Sequence, residues 1–283
     1  MKRPLLLLLI LTGLLGACSS ASLAYRNLDW LIPWRLNDYL TLNSEQKAWL
    51  KPRIKAHLAW HCSTELPNTL KWLEQARTLI QQPGGPSPEQ FSTQLAELDA
   101  GLKRIAVQVT PTAIGLLQGL NPKQVAELQA AIDEDNQEDR QDFLELSLAE
   151  QITERAERME ERLRPWFGRL SEAQQARILQ WSTGLGEQNR LWLENRQQWQ
   201  QAFMQTLDAR RSDDFGERMT RLLQEREAFY TDAYREANPR AKAALAELFS
   251  DLFGSADAKQ RERLDHRLRD LHRDLAGQAC SAD

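Results

Sequence analysis

Apolar residues recur every three or four positions from residue 19 onward, with charged and amide side chains between them. No stretch alternates apolar and polar residues in the way that a half-buried strand does. Glycine and proline are sparse and lie mostly between the periodic segments. The pattern therefore predicts an all-α protein, an elongated multi-helix bundle of capped helical hairpins, with one helical domain over residues 28–283.

A recurring helix start divides the chain. In each copy Asn or Ser is placed to cap the first turn, and a glutamine three residues later is placed to bond back to the capping amide. The copies are Leu42-Asn43-Ser44-Glu45-Gln46, Leu120-Asn121-Pro122-Lys123-Gln124 and Leu170-Ser171-Glu172-Ala173-Gln174, and Ser87-Pro88-Glu89-Gln90 repeats them without the leucine. Ser212 and Ser255 are weaker candidates for helix starts.

These starts, together with proline and glycine, set the expected helix boundaries. The predicted segments are 28–40, 43–81 with bends near Pro52 and Pro67, 87–109 ending before Pro111, 121–164 ending at Pro165, 171–210, 212–236, 239–253 and 256–276. Residues 82–86, with the sequence Gln-Pro-Gly-Gly-Pro, form the clearest loop.

An acidic run, residues 133–142, lies in the longest of these segments and contains no apolar residue. A calcium loop is excluded, because the run has no glycine where such a loop makes its sharp turn. The run predicts a helix face exposed to solvent, or an interruption of the helix there.

The amino terminus has the layout of a secretory leader. Lys2 and Arg3 precede eleven mainly apolar residues, 5–15, and small residues then lead to Cys18. That apolar run is shorter than the roughly 20 residues that a membrane-spanning helix needs. The stretch Leu15-Gly16-Ala17-Cys18 resembles the lipobox of bacterial lipoproteins.

This resemblance implies removal of residues 1–17 and acylation of Cys18, with residues 18–27 as the lipidated end and a short tether. Because Ser19 replaces the aspartate of an inner-membrane retention signal, it also implies the periplasmic face of the outer membrane. An ordinary leader cut after Ala17 is the alternative. Loss of Lys2 and Arg3 changes the formal charge from −4 to −6, which argues against nucleic acid as a partner.

With Cys18 acylated, Cys62 and Cys280 remain. Cysteines that remain in an oxidising compartment usually pair, so a Cys62–Cys280 disulfide is expected. Two buried free thiols are the alternative.

Tryptophan is concentrated in two parts of the chain. The residues Trp181, Leu185, Trp192, Trp199 and Phe203 recur near the helical period, as one stripe flanked by Arg190, Arg196 and Gln198. The stripe is interpreted as core packing, or alternatively as an exposed aromatic groove that binds apolar segments of a protein or a lipid.

The last helix has an apolar seam, Leu264, Leu268, Leu271 and Leu275, with arginines and acids around it. Bundle packing explains that seam, and a partner helix or an anionic lipid surface is the alternative.

Candidate chemistry is scarce. His57 and His61 lie four residues apart, a spacing that can supply two metal ligands, and Cys62 and Glu65 are nearby. The glutamate that a zinc protease needs directly after the first histidine is absent. The sequence also lacks a nucleophile elbow and a glycine-rich phosphate loop. No catalytic residue, metal or cofactor is therefore predicted, and His57 and His61 are interpreted as packed beside tryptophan.

Two resemblances concern the mature chain. The capped helix starts resemble the LTxxQ motif of Spy- and CpxP-type periplasmic proteins, which implies a chaperone that holds unfolded clients. The lipobox, the aromatic opening at residues 25–34, the repeated helix starts and the Arg-rich last helix resemble an uncharacterised family of bacterial lipoproteins. The first hypothesis is thus a non-catalytic, lipid-anchored protein that contacts other envelope proteins. A Spy-like holdase is the second, and a metal-dependent enzyme using His57 and His61 is the third.

Overall fold

A computed structural model describes residues 23–278, and the all-α class is confirmed for this part of the chain, which contains no strand. A short helical turn at residues 23–26 comes first. The helices are α1 (Leu28–Leu36), α2 (Ser44–Trp60), a π-helical turn (His61–Glu65), α3 (Leu66–Ile80), α4 (Pro88–Gln118), α5 (Pro122–Leu144), α6 (Leu148–Phe167), α7 (Glu172–Leu185), α8 (Gln188–Asp208), α9 (Phe215–Gln224), a 3-10 turn (Arg226–Phe229), α10 (Asp232–Gly254) and α11 (Ala258–Ala276). Within residues 23–278, no helix combines the length and apolar character needed to cross a membrane.

The predicted capping boxes are confirmed at the starts of α2, α4, α5 and α7. Two further boxes were missed, although both are visible in the sequence. Ser147 caps α6 with Glu150, and Asp257, rather than Ser255, caps α11 with Gln260. The start predicted at Ser212 was also wrong, because α9 begins at Phe215.

Proline and glycine positions account for most of the other wrong boundaries. The helix predicted to stop before Pro111 continues to Gln118 as α4, and α6 and α10 run through Pro165 and Pro239. In α4 the Thr110 hydroxyl donates to the Ala106 carbonyl at 2.6 Å, and both ends of the helix are held by packing. Tertiary contacts therefore outweigh the local cost of proline. Conversely, the predicted helix over 171–210 breaks at Gly186, where φ is +51°.

The apolar side chains form two buried clusters. The α2 core contains Leu40, Leu42, Leu50, Ile54, Leu117, Leu120, Val125, Leu128, Ile132, Phe203, Met204, Leu207, Phe215, Met219 and Leu222. The α3 core contains Cys62, Leu66, Leu73, Ile80, Ala156, Met159, Leu163, Phe167, Leu170, Ile178, Leu248, Leu252, Phe253, Ala256, Leu264, Leu268 and Leu275. The seam predicted on the last helix is confirmed, since three of its leucines are in this core and Leu271 packs against it.

Long helices join the two cores. The helical run over 44–80 contributes Leu50 to the α2 core and Leu73 to the α3 core, and at 1.5 Å per residue it is about 55 Å long. Helix α4 likewise packs Phe91 against the α3 core and places Leu117 in the α2 core. The bundle is therefore elongated along these helices, as expected.

Four of the five capping-box glutamines, all except Gln90 of α4, pair across the bundle, with one pair beside each core. The side chains of Gln46 and Gln124 exchange hydrogen bonds of 2.7 and 3.1 Å, and those of Gln174 and Gln260 exchange two of 3.0 Å. Gln124, Gln174 and Gln260 are buried. The recurring motif thus caps a helix and also joins two helix ends that are 78 or 86 residues apart in sequence.

The predicted loop at residues 82–86 packs against the end of α10. Gly84 and Gly85 have φ values of +81° and +76°, a region that favours glycine. A Cβ on Gly85 would lie 2.8 Å from the Gly254 nitrogen, whereas one on Gly84 would meet no atom within 4 Å.

We expect Gly85→Ala to lower the free energy of unfolding by about 2 kcal/mol, because it adds a backbone clash to the cost of the positive φ. Gly84→Ala is the matched control, with only the conformational cost of about 1 kcal/mol. Urea unfolding followed by circular dichroism measures both values. Equal losses for the two variants would show that the contact with α10 does not constrain the loop.

Candidate functional site

Two of the predicted site residues, Cys18 and Cys280, lie outside the described part of the chain. Cys62 is buried in the α3 core. Leu275, five residues before Cys280, belongs to the same core, so the end of α11 is packed close to the cluster that contains Cys62.

The predicted aromatic stripe is divided by the break at Gly186. Trp181, on α7, packs against the α3 core, whereas Phe203 is in the α2 core and Trp199 packs against that core. Trp199 stacks on Phe203 at 5.3 Å and donates its indole N–H to the Leu222 carbonyl at 2.9 Å. Trp192, half-buried on α8, makes an edge contact with Phe143 at 5.8 Å. The stripe residues are thus distributed over separate packing sites.

Arg155 stabilises the turn at Gly186 that separates α7 from α8. Its buried guanidinium donates to the Ser182 carbonyl at 2.9 Å, to the Gly186 carbonyl at 3.0 Å and to the Asn189 side-chain oxygen at 3.1 and 3.2 Å. These acceptors lie at the end of α7 and the start of α8. One side chain from α6 therefore satisfies the carbonyls that the turn leaves without helical partners.

The two candidate metal-binding histidines each have a protein partner. His57 Nε2 lies 2.7 Å from the Thr112 hydroxyl, and His61 Nδ1 lies 2.9 Å from the Tyr25 hydroxyl. Burial lowers the pKa of both imidazoles. Among residues 23–278, no group of three His, Cys, Asp or Glu side chains is arranged to hold a metal ion.

The acidic run differs most from its prediction. It was expected to face solvent, but Asp139 has 0% of its surface exposed and Asp135 is also buried. Arg196 on α8 forms an ion pair with Asp139 and lies 3.9 Å from Asp135, while the Tyr39 hydroxyl donates to Asp135 at 2.8 Å. Six of the ten residues in the run are exposed as predicted, but the prediction was wrong for Asp135 and Asp139, because the partners of these two acids are distant in sequence. Burial, helped by the bond to Asp135, raises the pKa of Tyr39 to about 12.

Burial also raises the pKa of Asp139 to about 6, because the loss of hydration outweighs the attraction of Arg196. A folded-state pKa above the unfolded value means that the native state binds the proton more tightly. This carboxyl group therefore reduces stability progressively as the pH rises from about 4 through 6.

We expect wild type to lose about 1 kcal/mol of stability relative to Asp139→Asn between pH 5 and pH 7, since asparagine does not ionise. Urea unfolding of both proteins across this range measures the difference. Any constant effect of the substitution on the ion pair with Arg196 cancels in the pH slope. A parallel pH dependence of the two proteins would contradict the raised pKa.

Next to this cluster a polar groove runs between α5 and α8, with a volume of about 440 Å³. It is lined by Gln129, Ile132, Asp133, Asn136, Gln137, Arg140, Gln197, Gln200, Gln201 and Met204. Six of the ten lining residues carry amides, one carries a negative and one a positive charge, and none is aromatic. The groove is therefore close to neutral and rich in groups that both donate and accept hydrogen bonds.

Several buried polar atoms at the groove have no hydrogen-bond partner among the described residues. They are Asn136 Oδ1, Gln200 Oε1 and, one turn from Asn136, Asp139 Oδ1. Gln200 has only 8% of its surface exposed, and Met204 and Ile132 form an apolar floor beside it. Such atoms are costly to leave unpaired, so the contact between α5 and α8 beneath the groove is incompletely hydrogen-bonded.

The sequence interpretation missed this groove. Its residues recur at helical spacing, 129, 132, 133, 136, 137 and 140 on α5, and 197, 200, 201 and 204 on α8. An amide-rich face at such spacing is the sequence signal that was available. The packing of α5 against α8, which brings the two faces together, was not.

A group of exposed apolar side chains lies at the start of the described part of the chain. The side chains of Leu23, Trp30, Ile32 and Trp34 are exposed by 64%, 61%, 40% and 47%, respectively. Trp30 and Trp34 stack on each other with ring centres 5.9 Å apart.

Comparisons with known proteins identify the family alone. Searches of the curated proteins and of the solved structures both found no match. A scan of protein families matches residues 38–235 to DUF6279, which is described as a family of unknown function. The match covers well over half of the chain and includes the α5–α8 groove. The chain therefore belongs to this family of unknown function.

Proposed function

We propose that the protein is a non-catalytic, lipid-anchored scaffold that binds other proteins of the bacterial envelope through the α5–α8 groove. In this proposal residues 1–17 are removed and Cys18 carries the lipid, which holds the protein on the periplasmic face of the outer membrane. The Leu15-Gly16-Ala17-Cys18 sequence supports the anchor. A Cys62–Cys280 disulfide is part of the proposal and is supported by the burial of Cys62 in the core that contains Leu275.

The observation that carries the binding role is the amide-rich lining of the groove, since six of its ten residues carry side-chain amides. A side-chain amide offers a donor and an acceptor side by side, as does a peptide group, so the groove matches the backbone of a bound segment. From residue 129 to residue 140 it extends about 16 Å along α5, which is the length of about five extended residues. The balanced charge of the lining favours a segment of low net charge.

A photo-crosslinking residue in place of Gln137 or Gln201, both exposed at the groove, tests the role in intact cells. We expect one defined protein to be captured at both positions, and the capture to weaken when Gln200→Ala is added. Leu179, exposed on α7 and outside the groove, is the matched control position. Equal capture at Leu179 would contradict binding at the groove.

The same experiment separates the scaffold from the Spy-like holdase. A holdase would give a smear of unrelated proteins at Gln137 and Gln201 instead of one defined band. The resemblance in the helix starts does not favour a holdase here, because four of the five capping glutamines are engaged in pairs beside the cores and none of the five lines the groove.

A further inference from the structure

Residues 23–34 contain large apolar side chains that the fold leaves uncovered. Nine large apolar side chains are markedly exposed among the described residues, and four of them, Leu23, Trp30, Ile32 and Trp34, lie within these twelve positions. We call Leu23, Trp30 and Trp34 the N-terminal apolar face, since Ile32 lies about half a turn from both tryptophans on α1. An exposed apolar patch of this kind typically marks a contact with a protein or a membrane.

Contacts before and after Trp30 and Trp34 hold the segment against the bundle, although no residue of α1 is itself buried. Tyr25 packs against the α3 core and bonds to His61, while Leu36 and Tyr39 pack against the α2 core. The segment thus lies along both cores and turns Trp30 and Trp34 outward.

The chemistry of the segment matches a membrane–water interface. Tryptophan is enriched there because its apolar ring and its polar N–H suit the headgroup level. Charged side chains flank the apolar residues, and the Arg35 guanidinium lies 5.6 Å from the Trp34 ring centre. Arg26 and Arg35 balance Asp29 and Asp38, so the segment has no net charge and does not depend on anionic lipid.

The distance to the expected anchor selects the occupant. Cys18 is five residues before Leu23, and five residues of extended chain span at most about 17 Å. A lipid on Cys18 would therefore bring the N-terminal apolar face within reach of the same bilayer. An apolar surface beside the lipid adds a second contribution to membrane binding and, unlike the lipid alone, fixes the orientation of the protein.

We propose that the N-terminal apolar face docks into the headgroup region of the membrane that holds Cys18, so that the anchored protein has a fixed orientation on the bilayer. This inference rests on the anchor in the proposed function, but not on the α5–α8 groove. Docking places Trp30 and Trp34 in contact with lipid and leaves the other seven tryptophans within the folded body.

Quenching by brominated lipid tests this contact. The purified full-length lipidated protein is reconstituted into phosphatidylcholine vesicles with or without bromine on the upper acyl chain. We expect a loss of about a fifth of the tryptophan fluorescence, because two of nine tryptophans reach the lipid. Trp30→Phe/Trp34→Phe is expected to abolish this loss, and replacing a quarter of the lipid with phosphatidylglycerol is expected to leave it unchanged.

Trp181→Phe/Trp192→Phe is the matched control, since it also removes two tryptophans. Phenylalanine is tolerable at position 181 because the Trp181 indole nitrogen is buried without a partner. This variant is expected to keep the quenching, with two of its seven remaining tryptophans in contact with lipid. Equal behaviour of the two double variants would overturn the assignment of the contact to Trp30 and Trp34.

Labelled palmitate separates the docking from the anchor. A protein that takes up the label but shows no bromine quenching would overturn the docking and leave the anchor in place. If Cys18 takes up no label, the mature Cys18→Ser chain is mixed with the same vesicles, where quenching still supports docking and its absence overturns it. A dimer that covers Trp30 and Trp34, seen by sedimentation together with unquenched fluorescence, would also overturn it in favour of a second copy.

Discussion

Replacing Arg155 with methionine is expected to lower the free energy of unfolding by about 3–5 kcal/mol, because several buried groups lose their partners together. Methionine preserves much of the apolar stem but donates no hydrogen bond. The carbonyls of Ser182 and Gly186 and the side-chain oxygen of Asn189 would all lose a charged donor. Since these groups form the turn between α7 and α8, the loss should extend to the packing of both helices.

Arg158→Met is the matched control, one turn further along α6. Arg158 pairs with Glu154 at 2.9 Å on a partly exposed surface and lies over the Phe143 ring. Pairs of this kind contribute about 0–1 kcal/mol. Urea unfolding curves of the two variants provide the comparison, and a loss below 1 kcal/mol for Arg155→Met would refute the role assigned to it.

Replacing Gln174 with alanine is expected to lower the free energy of unfolding by about 2–4 kcal/mol. The change removes the acceptor for the Ser171 amide and both hydrogen bonds with Gln260, whose own side chain is buried. Leaving a buried amide with an unmet hydrogen-bonding group costs about 1–3 kcal/mol, to which the loss of the cap adds about 1 kcal/mol.

Gln175→Ala is the control for the neighbouring position, because Gln175 is exposed and its contact with Glu160 lies at the surface. We expect an effect within about 0.5 kcal/mol there. A double-mutant cycle with Gln260→Ala then measures the pairing itself, and we expect the double variant to lose less than the sum of the two single losses. Additive losses would mean that the two glutamines act only as separate caps.

Local features of the fold were predictable from the sequence, because the residues that cause them are neighbours. The caps at Asn43, Ser87, Asn121 and Ser171 satisfy amides within three residues, so a short pattern is sufficient to predict them. The leucine seam of α11 was predicted for the same reason, since its period is set by the helix itself.

Features that depend on distant partners were not predictable. From the sequence, Pro111 predicts the end of a helix. Helix α4 nevertheless continues, because packing at both of its ends outweighs the backbone hydrogen bond that proline cannot donate. The sequence around Asp139 predicts an acid on the surface. Its partner Arg196 is on α8, which begins more than 40 residues later in the sequence. The aromatic stripe depended on a continuous helix, which the turn at Gly186 and the bonds from Arg155 prevent.

The candidate sites also combine features that neighbouring residues determine with features that depend on distant partners. Residues 23–34 could be recognised as aromatic from the sequence, but their exposure could not, because it depends on which side Tyr25 and Tyr39 anchor. The α5–α8 groove was missed altogether, since each of its faces by itself looks like an ordinary solvated helix.

The threading of the chain through both cores has a consequence for biogenesis. The α2 core takes residues from three separated parts of the chain, and its last contributor is Leu222, while the α3 core is completed only by Leu275. The α2 core cannot close before residue 222 of the chain is present, and the α3 core cannot close before the last helix, α11, is present. A growing chain must therefore hold the apolar surface of the α3 core open until nearly its entire length has been made, which makes the docking of α11 the step that completes this core.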